Sequence, residues 1–179
     1  ATLVHDTVMY KCDKWSVVGN SFGGWIATQL ALQYPEQVES MLLMSSAGVS
    51  WDFSEILPFY INPDVEMAKK IYQKSVYNPM SWLPDLVYER LVNRMRRMPI
   101  VTMLKAQTPA DFVDKELQSI DIPVSLLWGE ADQIIPLEVG KIFASKLPRA
   151  TFEVAKRCGH MPQRECPQTV WSSLRRLVH

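Results

Sequence analysis

The stretch "WSVVGNSFGGW" at residues 15–25 places a serine among glycines at the point where an apolar run ends. Residues 15–19 are few and rich in valine, which predicts a short buried strand. Over 25–34 apolar residues recur at helical spacing until Pro35, which predicts a helix. The local order is therefore strand, tight turn and helix, with Ser21 in the turn.

Three later segments are also predicted to be buried strands, since they are nearly continuous in apolar residues. They lie at 38–48, 122–130 and 150–155. Helical patterns follow Pro136 and Pro167, where a proline suits the first turn of a helix. Strands that alternate with helices predict an α/β fold with a mostly parallel sheet.

Residues 50–119 interrupt this alternation with helical patterns alone, which predicts an inserted helical subdomain. We therefore divide the chain into a first core segment (1–49), a helical segment (50–119) and a second core segment (120–179). The apolar stripes that define the helical segment are Val65, Ala68, Ile71, Tyr72 and Val76, then Val87, Leu91, Met95 and Met98. The last helix of the chain carries a third stripe, made of Val170, Trp171, Leu174 and Val178.

Composition excludes several classes of function. The chain has 179 residues, is 47% hydrophobic and has a formal net charge of zero, which is typical of a globular protein without a nucleic-acid or anionic-membrane footprint. The basic run "NRMRRM" (93–98) closes a predicted helix, where cations suit the helix dipole. No apolar run approaches the roughly 20 residues of a membrane span. Three scattered histidines predict no metal site, and we expect no cofactor.

The three cysteines are too few for a disulfide framework, which favours a reducing, cytoplasmic location. A bridge from Cys158 to Cys166 is the alternative, because it would close only a short loop.

Ser21 is the candidate nucleophile. In a G-x-S-x-G turn the serine stands above the sheet, and Gly19 and Gly23 are expected to leave room for the chain to double back. The following helix directs its positive end at the serine, and the backbone N–H of Phe22 becomes one oxyanion donor.

The partners of Ser21 follow in the order aspartate, then histidine. Asp132 lies after the third predicted strand and His160 after the fourth. Glu130 and Asp52 are the alternatives to Asp132, whereas His160 competes only with histidines at the chain ends.

In these motifs, "GNSFGG", "LLWGEAD" and "CGHMPQRE", the chain resembles the C-terminal two-thirds of an α/β-hydrolase-fold serine hydrolase with a helical cap. The resemblance implies that Ser21 is the nucleophile, His160 the general base and acid, and Asp132 the group that orients the imidazole. Enzymes of this fold have further strands before the nucleophile elbow, which is the turn that carries the serine. A loop among those earlier strands supplies the second oxyanion donor. We therefore expect an N-terminally truncated piece, in which 15–19 forms one edge of the sheet, and a protein that is naturally this short is the alternative.

The resemblance implies a small-molecule substrate, and the apolar cap side chains favour an apolar or acyl-bearing one. Those side chains are Trp51, Phe53, Phe59, Tyr60, Met80, Trp82, Met95, Met98 and Met103. The leading interpretation is a carboxylic ester hydrolase. A carbon–carbon bond hydrolase of aromatic ring-cleavage products is the alternative. The spacing of Gln163 and Glu165 after His160 is similar to that family, whereas Met161 departs from its pattern. A ligand-binding protein or an inactive fragment is the third possibility, and the oligomeric state stays open.

Overall fold

The computed structural model describes residues 1–9, 13–97, 108 and 111–177. Its elements follow in the order α1 (Thr2–Thr7), β1 (Trp15–Asn20), α2 (Phe22–Gln33), β2 (Val38–Met44), α3 (Leu57–Ile61), α4 (Val65–Ser75), α5 (Asp85–Met95), a 3-10 turn (Leu117–Ser119), β3 (Val124–Gly129), α6 (Leu137–Lys146), β4 (Ala150–Ala155), α7 (Pro162–Glu165) and α8 (Pro167–Leu177). Among the described residues no helix is both long and apolar enough to cross a bilayer.

The four strands form one parallel sheet in the order β1-β2-β3-β4. The parallel α/β sheet predicted from the sequence is therefore confirmed. Within the part of the chain that the structure describes, β1 has a strand on one side only, as predicted for residues 15–19. Because all strands run the same way, the loops after β1, β3 and β4 meet at one end of the sheet, and these loops carry Ser21, Asp132 and His160.

Alternate residues of the central strands supply the two faces of the core. Met41 and Leu43 pack with residues of α2 and α6 on one face. Leu42 and Met44 pack with Val170 of α8 on the other face. This two-sided burial explains why β2 and β3 are almost continuously apolar in sequence. The predicted second strand was too long, because β2 ends at Met44, just before Ser45 turns with φ 42°.

Helices α3, α4 and α5 have an apolar cluster of their own, made of Phe59, Ala68, Tyr88, Val92 and Met95. The cap is this helical region, 57–95. The second apolar stripe predicted for the cap was wrong at its first residue, because Val87 is exposed and the next residue, Tyr88, is buried instead. Met98 lies outside the described residues. The segment boundaries at 49 and 119 stay a prediction.

The end of the chain corrects two details. Trp171 of the predicted α8 stripe is 56% exposed, while Val170 beside it is buried, and Val178 lies outside the described residues. Cys158 and Cys166 form a disulfide with their Cα atoms 6.2 Å apart. The bridge that the sequence left as an alternative is therefore present, and the cytoplasmic location expected from the cysteine count stays a prediction.

Candidate active site

Ser21 occupies a strained turn between β1 and α2. Its φ of 56° and ψ of −124° lie outside the regions that a non-glycine residue ordinarily occupies. Two backbone hydrogen bonds hold the turn to the end of β2 and to the loop that follows it: Ser21 N–H donates to Met44 O over 3.0 Å, and Ala47 N–H donates to Ser21 O over 3.0 Å. The surrounding structure thus fixes the strained geometry that a nucleophile elbow requires.

The glycines of this turn differ in how closely they are packed. A Cβ atom at Gly19 would lie 2.4 Å from Gly23 O, so only glycine fits there, as the sequence predicted. The same expectation for Gly23 was wrong, because no atom lies within 4 Å of a Cβ built at that position. The second tight position is Gly24, where a Cβ would lie 2.2 Å from Ser46 Oγ.

Phe22 is the first residue of α2, so its N–H has no acceptor within the helix. This N–H belongs to the positive end of the helix dipole beside Ser21, which suits an anionic oxygen. Its role as an oxyanion donor stays a prediction.

Asp132 and His160 meet at the same end of the sheet and are both buried. His160 Nδ1 lies 2.9 Å from Asp132 Oδ2. The other carboxylate oxygen accepts hydrogen bonds from the N–H groups of Ile134 and Ile135, each over 2.9 Å. Because three donors surround the carboxylate, it is fixed in position, and with a proton on Nδ1 the imidazole presents Nε2 as the free base.

The two alternatives to Asp132 have other partners. Asp52 is exposed and accepts a hydrogen bond from Ser54 N–H over 2.9 Å, and this bond lowers the pKa of its carboxyl group. Glu130 is exposed and accepts a hydrogen bond from Arg157 N–H. Neither carboxylate contacts His160, so the geometry favours Asp132.

Asn20 is a site residue that the sequence did not single out, although it lies inside the "GNSFGG" motif. Its Nδ2 donates to Met44 O and to His160 O, each over 3.0 Å, and its Oδ1 accepts from Gln163 Nε2 over 3.1 Å. Asn20 therefore ties the loop of the histidine to the elbow, one residue from Ser21.

A pocket opens above Ser21 and contains about 570 Å³ of empty space, its open mouth included. One wall is a stack of Trp25 on Phe112, with ring centroids 5.8 Å apart. The remaining lining residues are Phe22, Ala47, Gly48, Trp51, Phe53, Ile56, Leu57, Tyr60, Ile134 and Ile135. No described lining residue is charged, so the pocket suits an apolar group.

Only part of the predicted apolar cap set reaches this pocket, namely Trp51, Phe53 and Tyr60. Phe59 and Met95 are buried within the cap itself. Met80 and Trp82 are exposed, and Met98 and Met103 lie outside the described residues. Burial raises the pKa of the Tyr60 phenol, and the charge of Asp132 adds to the effect.

Comparison with known families agrees with this geometry. A family model described as "Serine aminopeptidase, S33" matches residues 2–167. The chain belongs to this family of α/β-hydrolases. Within the described residues of this α/β-hydrolase, no group of three or more histidine, cysteine or carboxylate side chains is placed to hold a metal ion.

A 2-hydroxy-6-oxononadienedioate/2-hydroxy-6-oxononatrienedioate hydrolase of Paraburkholderia phymatum is 34% identical over 165 residues. The match covers 83% of this α/β-hydrolase chain and 57% of that relative. The chain thus spans little more than half the length of the curated relatives that it matches.

Solved structures of two kinds share the fold. A 2-hydroxy-6-oxo-6-phenylhexa-2,4-dienoate hydrolase from a Rhodococcus species has a TM-score of 0.78 at 23% identity, over 94% of this chain and 65% of that one. A bacterial membrane phospholipase A has a TM-score of 0.79 at 24% identity, over 99% and 62% of the two chains. These similarities establish the fold of the α/β-hydrolase, and the bond that it cleaves is a separate question.

Proposed function

We propose that this α/β-hydrolase cleaves carboxylic esters that carry an apolar acyl group, through an acyl-enzyme formed on Ser21. The observation that supports this best is the uncharged, largely aromatic pocket directly above Ser21. An acyl chain gains about 0.8 kcal/mol for each CH₂ that it buries in such a surface.

The proposed reaction begins when His160 Nε2 removes the proton of the Ser21 hydroxyl as Oγ attacks the ester carbonyl carbon. Asp132 stabilises the imidazolium that forms, through the 2.9 Å contact with Nδ1. The tetrahedral intermediate then collapses, and His160 returns the proton to the departing alkoxide. Water repeats the sequence on the acyl-enzyme, which releases the carboxylic acid and restores Ser21.

The oxyanion of each tetrahedral intermediate is the charge that most needs stabilisation. Phe22 N–H is the donor that we assign to it, since this group is unpaired in α2 and directly follows Ser21 in the chain. The strained backbone of Ser21 costs free energy in the resting protein, and its hydrogen bonds to the end of β2 preserve the alignment of Oγ and N–H.

A carbon–carbon bond hydrolase is the second candidate, and the sequence relatives support it. The Paraburkholderia relative acts on a dienedioate, and this chain shares 34% identity with it. Such a substrate carries carboxylates, which ordinarily require a basic partner in a buried site. The described pocket lining offers neither lysine nor arginine, and this is why we rank ester cleavage first.

The test compares two substrate classes on the full-length protein. We expect p-nitrophenyl esters of medium acyl length to be hydrolysed with a higher kcat/KM than 2-hydroxy-6-oxononadienedioate, and kcat/KM to rise as the acyl chain lengthens. Ser21→Ala should abolish turnover of both. A preference for the dienedioate would support the second candidate. Turnover of neither, with binding of an apolar ligand retained, would support a ligand-binding protein.

A further inference from the structure

We infer that Glu165 is a positioning residue that ties the cap to the loop of His160, so that contacts made by the cap control the alignment of the histidine. The inference rests on the proposed role of His160 as the base for Ser21. It adds to that role a carboxylate that does not touch the reacting atoms.

Each carboxylate oxygen of Glu165 accepts a hydrogen bond from a different part of the chain. Oε1 accepts from Gly159 N–H over 3.1 Å, and Gly159 immediately precedes His160. Oε2 accepts from Tyr77 N–H over 2.7 Å, and Tyr77 belongs to the segment that leaves α4 of the cap. Hydrogen bonds to a charged acceptor are roughly twice as strong as neutral ones, so one side chain joins the two segments firmly.

The same end of α4 also holds both loops of the candidate site through its carbonyl groups. Ser75 O accepts from His160 N–H over 2.7 Å, and Lys74 O accepts from Gln133 N–H, beside Asp132, over 3.3 Å. The last carbonyls of a helix lack partners within the helix, so they are available for these contacts. Val76 then adopts an extended conformation, with φ −124° and ψ 146°, as the chain leads from Ser75 to Tyr77.

The packing at Gly159 leaves little freedom for displacement. A Cβ atom there would lie 2.5 Å from Ser75 O and 3.0 Å from Glu165 Oε1. A shift of the cap end or of Glu165 is therefore transmitted to the residue beside His160. Misplacement of a catalytic group by about 1 Å can reduce a rate by roughly 10²-fold.

The experiment measures the rate at which a fluorophosphonate labels Ser21 in the full-length protein, as a function of pH. We expect Glu165→Ala to slow labelling about tenfold or more and to lower the midpoint of the pH profile, because a misaligned imidazolium loses support from Asp132. Glu165→Gln should fall between the parent and the alanine variant, since its amide oxygen can accept one of the two N–H groups.

A matched pair of variants at Tyr77 separates the effect of the hydrogen bond to Glu165 from the effect of the charge of Glu165. Tyr77→Pro removes the donating N–H together with the tyrosine side chain, and the extended backbone of Val76 suits a following proline. Tyr77→Ala keeps the N–H and removes the half-exposed side chain. We expect the proline variant to slow labelling and to lower the pH midpoint, and the alanine variant to match the parent. Glu138→Gln, in an exposed pair with Lys141, controls for the loss of a surface charge.

Thermal unfolding of each variant identifies those that fold. If the parent is labelled, and folded variants of Glu165 and the proline variant retain its rate and pH midpoint, the inference is wrong while the proposed function stands. If Glu165→Ala does not fold, the Tyr77 pair decides the question. Failure of the parent to react with the fluorophosphonate would overturn the proposed function, and this inference with it.

Discussion

At the scale of single residues, Tyr60 is a pocket side chain whose ionisation the fold alters. It lies in the pocket above Ser21, its pKa is raised first by burial and then by the charge of Asp132, and its phenol forms no hydrogen bond with another described residue. The neutral phenol is therefore the form that the folded protein retains, and it is a hydrogen-bond donor in the lining of the pocket.

The raised pKa of Tyr60 has a definite sign in stability. Above pH 10.0 the tyrosine of the unfolded chain loses its proton while the folded protein keeps it, so the free energy of unfolding should fall as pH rises through that value. We expect Tyr60→Phe to remove this part of the fall and to change stability at pH 7 by less than about 0.5 kcal/mol. Urea unfolding from pH 8 upward would measure it. The prediction is contradicted if the free energy of unfolding falls equally steeply with pH in the parent and in Tyr60→Phe. It is also contradicted if Tyr77→Phe, at the exposed tyrosine, reduces that fall by the same amount.

At the scale of elements, the strands and the order of their loops were predictable because both faces of β2 and β3 are buried, which leaves long apolar runs in the sequence. The buried face of α5 could not be predicted exactly from the sequence, since Val87 and Tyr88 fit a helical stripe equally well. Only the packing within the cap buries Tyr88 and leaves Val87 exposed. The assignment of Asp132 and His160 rested on the order of their loops and on the resemblance to α/β-hydrolases, and the structure adds the contact between them.

The contacts of Glu165 and Asn20 show what sequence reasoning could not supply. Glu165 meets Tyr77 across 88 positions, and Asn20 meets Gln163 across 143. No local pattern encodes such pairs, because they arise where separate loops meet after the sheet has formed. The motif containing Gln163 and Glu165 was visible, but their hydrogen-bond partners were not.

The disulfide between Cys158 and Cys166 closes the loop that carries His160 and α7. A cross-link over a loop of this size stabilises a protein by roughly 2.5 kcal/mol in the chain-entropy account. We expect dithiothreitol to lower the free energy of unfolding of the parent by about that amount, and to leave a Cys158→Ala, Cys166→Ala double variant unchanged. Urea unfolding with and without reductant measures both. Cys12→Ser is the control, and a parent insensitive to reductant would show that the bridge contributes nothing.

At the scale of the whole molecule, the outer side of β1 is an unprotected strand edge in the 179-residue chain. Among the described residues no strand pairs with that side, and Val18 of β1 is 48% exposed. An unpaired strand edge with an exposed apolar side chain is a template for pairing with a second chain. The formal net charge of zero at pH 7 offers no repulsion between copies.

We therefore expect the 179-residue chain to self-associate through β1 in a concentration-dependent way, most strongly near pH 7, where its net charge vanishes. Val18→Lys should shift the population toward the monomer, because a lysine on an edge strand opposes pairing. Size-exclusion chromatography with light scattering, from pH 6 to pH 9, measures the mass. Leu3→Lys on α1 is the matched control, since Leu3 is 78% exposed but lies outside the sheet. If Leu3→Lys dissociates the protein as well as Val18→Lys does, general apolar exposure drives the association and the strand edge does not.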